Sequence, residues 1–204
     1  IGQGLEEMDK IASETLDDTF RTALSGDSKD YRESSSSLMF AFILALVLIY
    51  LILAAQFESF KDPFIIMLTV PLAIAGALIF MFVGGITMNI FSQIGIIMLI
   101  GLVAKNGILI VEFANLKQES GEDKMAAIRN AALQRLRPIL MTSVSTILGL
   151  IPLAFATGEG ANQRIAMGTA VVGGMLVSTL LTMYIVPAIY TYISTNRKVK
   201  TETV

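Results

Sequence analysis

The chain has 204 residues, 54% of them hydrophobic and only 16% charged, with a formal net charge of −2. Together with a mean hydropathy of +0.69, this describes a polytopic membrane protein. The chain holds no cysteine and no histidine, which excludes disulfides and thiolate chemistry and removes the commonest metal ligand and general base. Metalloenzyme and Ser/His readings fall, and no enzymatic activity, cofactor or metal is expected.

Residues 1–36 are soluble in character. The chain begins Ile1-Gly2-Gln3 without a charged n-region or a cleavage site, and is read as the carboxyl-terminal piece of something longer. Leu5, Met8, Ile11, Ala12 and Leu16 recur at helical spacing, with Glu6, Glu7, Asp9 and Lys10 on the other face, which predicts an amphipathic helix. Thr19 to Leu24 is expected as a short strand closed by the turn Ser25-Gly26-Asp27-Ser28. One helix and one strand cannot bury a core alone, so the segment is read as a short α/β remnant of a domain whose remainder lies upstream. Its nine acidic residues against four basic ones describe a solvated face.

Five apolar runs follow, at about 38–57, 63–83, 89–116, 138–156 and 165–193, each near the length of about 20 residues that crosses a bilayer. The expected class is therefore an all-α bundle of five transmembrane helices over 37–194, with a tail at 195–204. Nine basic residues (Lys61, Lys117, Lys124, Arg129, Arg135, Arg137, Arg197, Lys198 and Lys200) fall on one side, against Arg164 in the short loops of the other. The positive-inside rule then makes the tail cytoplasmic and puts residues 1–36 outside.

Within the long cytoplasmic link, Ser120-Gly121-Glu122-Asp123 resembles a capping box. It predicts a helix over 120–136 lying on the inner membrane surface, with Met125, Ile128, Ala132, Leu133 and Leu136 as its apolar stripe. Pro138 is expected to open the next span, and Glu58 to Pro63 reads as an interfacial turn. In the last run Ala166, Ala170, Gly174, Ser178 and Thr182 repeat every fourth position, and Ala73 and Ala77 do so more briefly in the second. Such ladders let helices approach closely.

The chemistry-bearing residues gather around Lys105, near the middle of the third run. At about 1.5 Å of rise per residue it lies roughly 16 Å from Leu116, too far for its side chain to snorkel to water. A lysine there costs about 2.5 to 3.5 kcal/mol on insertion scales and calls for a partner inside the protein. Glu112, read as the only acid within a run, shares its face but is offset by about 10.5 Å along the axis. Thr142 is a second candidate, either lining a polar path near Lys105 or bonded to its own preceding turn. Asn106 is either interhelical glue or a member of the lysine network. Arg135, seven residues before Thr142 and on its face, is most simply a topology determinant.

The stretch Gly101-Leu102-Val103-Ala104-Lys105-Asn106-Gly107-Ile108-Leu109-Ile110-Val111-Glu112-Phe113 resembles the tenth-span signature of the resistance-nodulation-division (RND) transporters, in their hydrophobe/amphiphile efflux branch. Arg135-Leu136-Arg137-Pro138-Ile139-Leu140-Met141-Thr142-Ser143 is similar to the eleventh-span entry. Gln56-Phe57-Glu58-Ser59-Phe60, Val70-Pro71-Leu72, Gly173-Gly174-Met175 and Val186-Pro187 match in order. The resemblance implies the carboxyl-terminal part of a twelve-span chain, its spans eight to twelve, with residues 1–36 ending a periplasmic porter subdomain and the bundle in the bacterial inner membrane.

By the same resemblance, Lys105 pairs with two aspartates on the fourth span, outside these residues. Arg135 and Thr142 match positions of the same proton relay, with Asn106 beside Lys105 as a further member. The implied activity is proton-driven efflux of hydrophobic or amphiphilic compounds by a homotrimer working with a periplasmic adaptor and an outer-membrane channel. The alternatives are a metal-ion or other-substrate exporter of the same family, disfavoured because the metal-exporting branch tends to carry an acid at the position of Lys105, and an inactive membrane scaffold. Without the aspartates and a complete porter domain, the isolated 204 residues are expected not to pump.

Overall fold

The computed structural model describes residues 2–17 and 19–195; the tail residues Arg197, Lys198 and Lys200 lie outside them. Every regular element among the described residues is helical: α1 (Gly2–Thr15), α2 (Asp27–Phe57), α3 (Lys61–Met67), α4 (Thr69–Val83), α5 (Ile90–Glu119), α6 (Lys124–Ala154) and α7 (Ala161–Ile193). Five stretches are long and apolar enough to cross a membrane: Ser37–Phe57, Lys61–Val83 (α3 and α4 together), Ile90–Glu119, Lys124–Ala154 and Ala161–Ile193. The all-α polytopic class expected from composition is the class observed. The chain divides into two compact units, residues 1–43 and 44–204.

In the first unit α1 carries the predicted amphipathic pattern, and Asp9 on it pairs with Arg32 of α2 at 2.9 Å. Its apolar side chains Met8 and Ile11, with Leu16 just past its end, remain exposed along a groove of about 820 Å³ shared with residues 22–25. The strand expected over Thr19 to Leu24 is not formed; the described residues there are irregular. A strand needs the N–H and C=O groups of a neighbour, and none is present among the described residues.

The second unit is built around α7, on which α4, α5 and α6 all pack. The predicted ladder Ala166, Ala170, Gly174, Ser178 and Thr182 is buried along its whole length. A Cβ at Gly168 would stand 2.6 Å from the backbone nitrogen of Ala154, and one at Gly174 would stand 2.9 Å from the carbonyl oxygen of Ala73. Backbone atoms cannot swing aside as a flexible side chain can, so both contacts exclude larger residues. Toward the ends of α2 and α7 the core is sealed by Phe57, Ile65, Ile110, Val111, Val186 and Tyr190.

Two prolines explain departures from the expected boundaries. Pro71 sits in the first turn of α4 and its ring crowds the carbonyl four residues back, at Met67, where α3 ends. One apolar run therefore becomes two helices joined at Leu68. Pro138 does the opposite of what was expected. Rather than opening a span, it lies inside α6, so the interfacial helix over 120–136 and the span over 138–156 are one continuous helix. It removes the donor for the Gln134 carbonyl, yet the preceding Ala-Ala-Leu-Gln-Arg-Leu-Arg run has high helix propensity, and membrane helices tolerate proline.

The start of α6 also moves. Asp123 is its N-cap, accepting from the Met125 N–H at 3.2 Å, whereas Ser120 closes α5. Gly121 between them adopts φ +97°, a left-handed conformation that favours glycine.

Candidate functional site

Helix α5 begins with a reciprocal cap: Asn89 Oδ1 accepts from the Ser92 N–H at 2.9 Å, and Ser92 Oγ accepts from the Asn89 N–H at 2.8 Å. From that fixed start the helix advances about 100° per residue. Ile94, Met98, Gly101, Lys105, Glu112 and Leu116 are exposed, and their spacing puts them on one narrow stripe running the length of the helix. The sides away from it are buried against the bundle. Lys105 and Glu112 thus both face outward, and neither makes an ion pair or hydrogen bond with any described residue.

Asn106, one residue on, turns about 100° away from Lys105 and is buried. Its Nδ2 donates to Ser143 Oγ on α6 at 3.3 Å and to Thr179 Oγ1 on α7 at 3.4 Å. Thr179 Oγ1 donates to Ser143 Oγ at 3.2 Å, which closes a triangle across three helices. Of the two readings open for Asn106, these bonds are of the kind that interhelical glue would make.

Arg135 and Thr142 occupy α6 but touch different things. The Arg135 guanidinium stacks over the Phe113 ring of α5, 4.4 Å from its centroid, about two turns from Lys105 along the axis. Thr142 Oγ1 donates to the carbonyl of Ile139 at 3.1 Å, in its own preceding turn, and its own carbonyl accepts from Thr146 Oγ1. The structure therefore does not join the four sequence candidates into one hydrogen-bonded cluster. Lys105 looks outward, Asn106 inward, Arg135 onto an aromatic ring and Thr142 onto its backbone.

A second polar cluster was not foreseen. Asp62, in the first turn of α3, is only 2% exposed. Asn115 Nδ2 of α5 donates to its Oδ2 at 3.0 Å, and Ser194 Oγ, just past α7, donates to its Oδ1 at 3.4 Å. Tyr190 Oη of α7 donates to Asn115 Oδ1 and accepts from Gln118 Nε2 at 2.8 Å. Lys124 Nζ donates to the Ser194 carbonyl. By its apolar pattern the second run starts only at Pro63, which leaves Asp62 in the interfacial turn expected over Glu58 to Pro63. Its partners stand 53 and 132 positions away, so no local pattern announces the cluster.

The turn between α5 and α6 carries its own electrostatics. Glu122 accepts from Asn130 Nδ2 at 2.9 Å and pairs with Lys117 Nζ at 2.9 Å. These two contacts, the Asn130 bond first, hold its carboxyl below the usual carboxylate value. Among the described residues no group of acidic side chains is placed to hold a metal ion.

With the lysine-bearing helix and its surroundings in place, comparison with known proteins is informative. A family model for the AcrB/AcrD/AcrF family matches residues 1–194. The chain belongs to that family. Its members are the RND transporters that the motifs around Lys105 resemble, here in the multidrug efflux branch. Among its relatives, the toluene efflux pump membrane transporter TtgB of Pseudomonas putida is 39% identical over 193 residues, 95% of this chain and 18% of that protein. Multidrug resistance protein MdtF of Escherichia coli is 44% identical over 158 residues, 77% of this chain and 15% of that one. A protein of Haemophilus influenzae named only as an uncharacterized transporter is 39% identical over 204 residues, 97% of this chain and 20% of its own length. The chain thus spans about a fifth of the length of the curated relatives it matches.

Proposed function

We propose that these residues form the carboxyl-terminal membrane part of a proton-driven pump exporting hydrophobic or amphiphilic compounds across a bacterial inner membrane. Residues 1–36 lie on the periplasmic side and the tail in the cytoplasm. The observation that carries the reading is the outward stripe of α5, where Lys105 stands in an apolar span without an answering group among the described residues. A charge in that position is stable only against an anion supplied from elsewhere. The family resemblance supplies two aspartates on the fourth span of the amino-terminal part. The names of TtgB and MdtF, toluene efflux and multidrug resistance, support hydrophobic substrates.

The mechanism follows from charge. While the aspartates are ionised they hold Lys105 and with it α5. Protonation discharges them, weakens that attraction and releases the helix to a second position. A proton falling through 100 mV supplies about 2.3 kcal/mol, and each pH unit of gradient adds about 1.4 kcal/mol, enough to bias a two-state element. Thr142 and Arg135 act in the same relay from α6, and Asn106 keeps α5 in place beside them. The complete pump is a homotrimer that hands substrate to an adaptor and an outer-membrane channel.

The test is efflux by the full-length protein with Lys105→Met at matched expression and assembly. Efflux is expected to fall to the level of cells lacking the pump. Unchanged efflux would leave Lys105 a packing residue and favour the scaffold reading.

A further inference from the structure

The clusters on α5 grip it from two sides. Asn106 and Asn115 are nine residues apart, about 180° around the helix, with the Lys105 stripe between them. Asn106 reaches α6 and α7 through neutral hydroxyls at 3.2 to 3.4 Å. On the opposite flank, Asn115 reaches a buried carboxylate on α3, and Gln118 reaches Tyr190 on α7. Turning α5 in either direction opens one cluster or the other.

The carboxylate also gives its cluster a direction. A carboxylate only accepts, so Asn115 must turn its Nδ2 to Asp62 and leave Oδ1 facing Tyr190. Tyr190 must then donate its single proton to that oxygen, which leaves a lone pair for Gln118, whose amide must present Nε2. One charge at position 62 thus orients three side chains on two other helices. Bonds that accept onto a charge are the stronger kind, and none of the neutral bonds at Asn106 has that character.

We propose that Asp62 is a positioning residue for the transport cycle: it fixes the rotation of α5 at its end near α6 and so sets the direction in which the Lys105 stripe faces. This rests on the proposed relay at Lys105. It makes the Asn115–Gln118 end of α5 the fixed end and the Lys105 region the end that moves when its charge is answered or released.

The reciprocal exchange tests it. In the full-length protein, Asp62→Asn, Asn115→Asp and the double exchange are compared at matched expression for maximal efflux rate of a fluorescent amphiphilic dye, apparent KM and melting temperature. In the double exchange the amide at 62 donates to the carboxylate at 115, which still accepts from Tyr190, so the 62–115 bond is reversed but kept and the bonds through Tyr190 and Gln118 keep their direction. Each single variant is expected to lose at least fivefold in maximal rate with little change in KM, and the double exchange to regain at least half of the wild-type rate. Singles that transport like wild type overturn the inference. So does a double exchange that recovers the melting temperature but not the rate, which would show α5 held without being positioned. Should both singles fail to accumulate, Tyr190→Phe, which removes one hydroxyl and keeps the ring, is expected to lower maximal rate twofold or more, and a wild-type rate there overturns the inference. Neutral Lys105→Met sinks the relay itself, whereas loss of efflux in Lys105→Met alongside an uncoupled 62/115 exchange sinks only the role of Asp62.

Discussion

The two sides of α5 are composed alike and answered differently. Toward the bundle, Asn106, Asn115 and Gln118 are each buried and each bonded to a group on another helix. Toward the outside, Lys105 and Glu112 lie along a stripe with Gly101 and meet no partner among the described residues. A polar side chain in an apolar span is tolerated when its bonds are closed. The closed side shows that these helices make a self-consistent unit, and on the proposed reading the open side is where the amino-terminal part fits.

Glycine offers the sharpest way to break that contrast. Gly174 is blocked by backbone, whereas a Cβ at Gly101 meets nothing within 4 Å. Gly174→Val is expected to destabilise the bundle by about 1–3 kcal/mol or more, the cost of overpacking. The readout is a lower melting temperature in detergent and less protein in the membrane. Gly101→Val is expected to leave the melting temperature of the 204-residue chain in place and to reduce efflux by the full-length protein, where the proposed relay has the amino-terminal part cover the stripe. Equal effects at both positions would mean that the stripe is not an interface.

A smaller effect is expected from Asn106→Leu. It removes two interhelical bonds but leaves Thr179 bonded to Ser143, so the loss should be about 1.2 kcal/mol, at about 0.6 kcal/mol for each such bond in membranes. The melting temperature in detergent would measure it, and a double-mutant cycle with Thr179→Val would isolate the share of the Asn106–Thr179 bond. The smallest effect concerns the turn. Because the folded Glu122 carboxyl is held below its ordinary value, its contribution is present above that ordinary value and is lost as pH falls through the lowered one. Hydrogen-exchange protection of the N–H groups of residues 121–124, referred to the intrinsic rate at each pH, should fall on acidification in wild type and already be low, with little further change, in Glu122→Gln.

The five membrane helices were legible because each run is long and strongly apolar, and length alone distinguishes a spanning helix from a buried strand. The ladder on α7 was legible for a similar reason, since small residues at every fourth position share a face. What escaped was set by context. Pro138 reads as a helix start by local rules, and only the strong helix formers before it carry α6 through. Thr19 to Leu24 has the composition of a strand and, among the described residues, no strand to pair with. Asp62 looks like a surface residue beside a proline, and only the fold brings Asn115 and Ser194 to it. Lys105 was found because a charge in an apolar run is conspicuous, whereas its outward direction depends on how α5 is packed.

The place of α7 in the bundle bears on how such a protein is made. The helix that α4, α5 and α6 all lean on is the last of the five to leave the ribosome, since synthesis runs from α1 to α7. Until Ala161–Ile193 is in the membrane, the backbone groove at Ala73 and the surface of α6 at Ala154 have nothing to close against. Closure of this part of the membrane domain therefore waits for α7, the last of these helices to be synthesised. A chain that stops before α7 leaves a set of inserted helices with no centre, which makes loss of that final span a defect of biogenesis before it is one of transport.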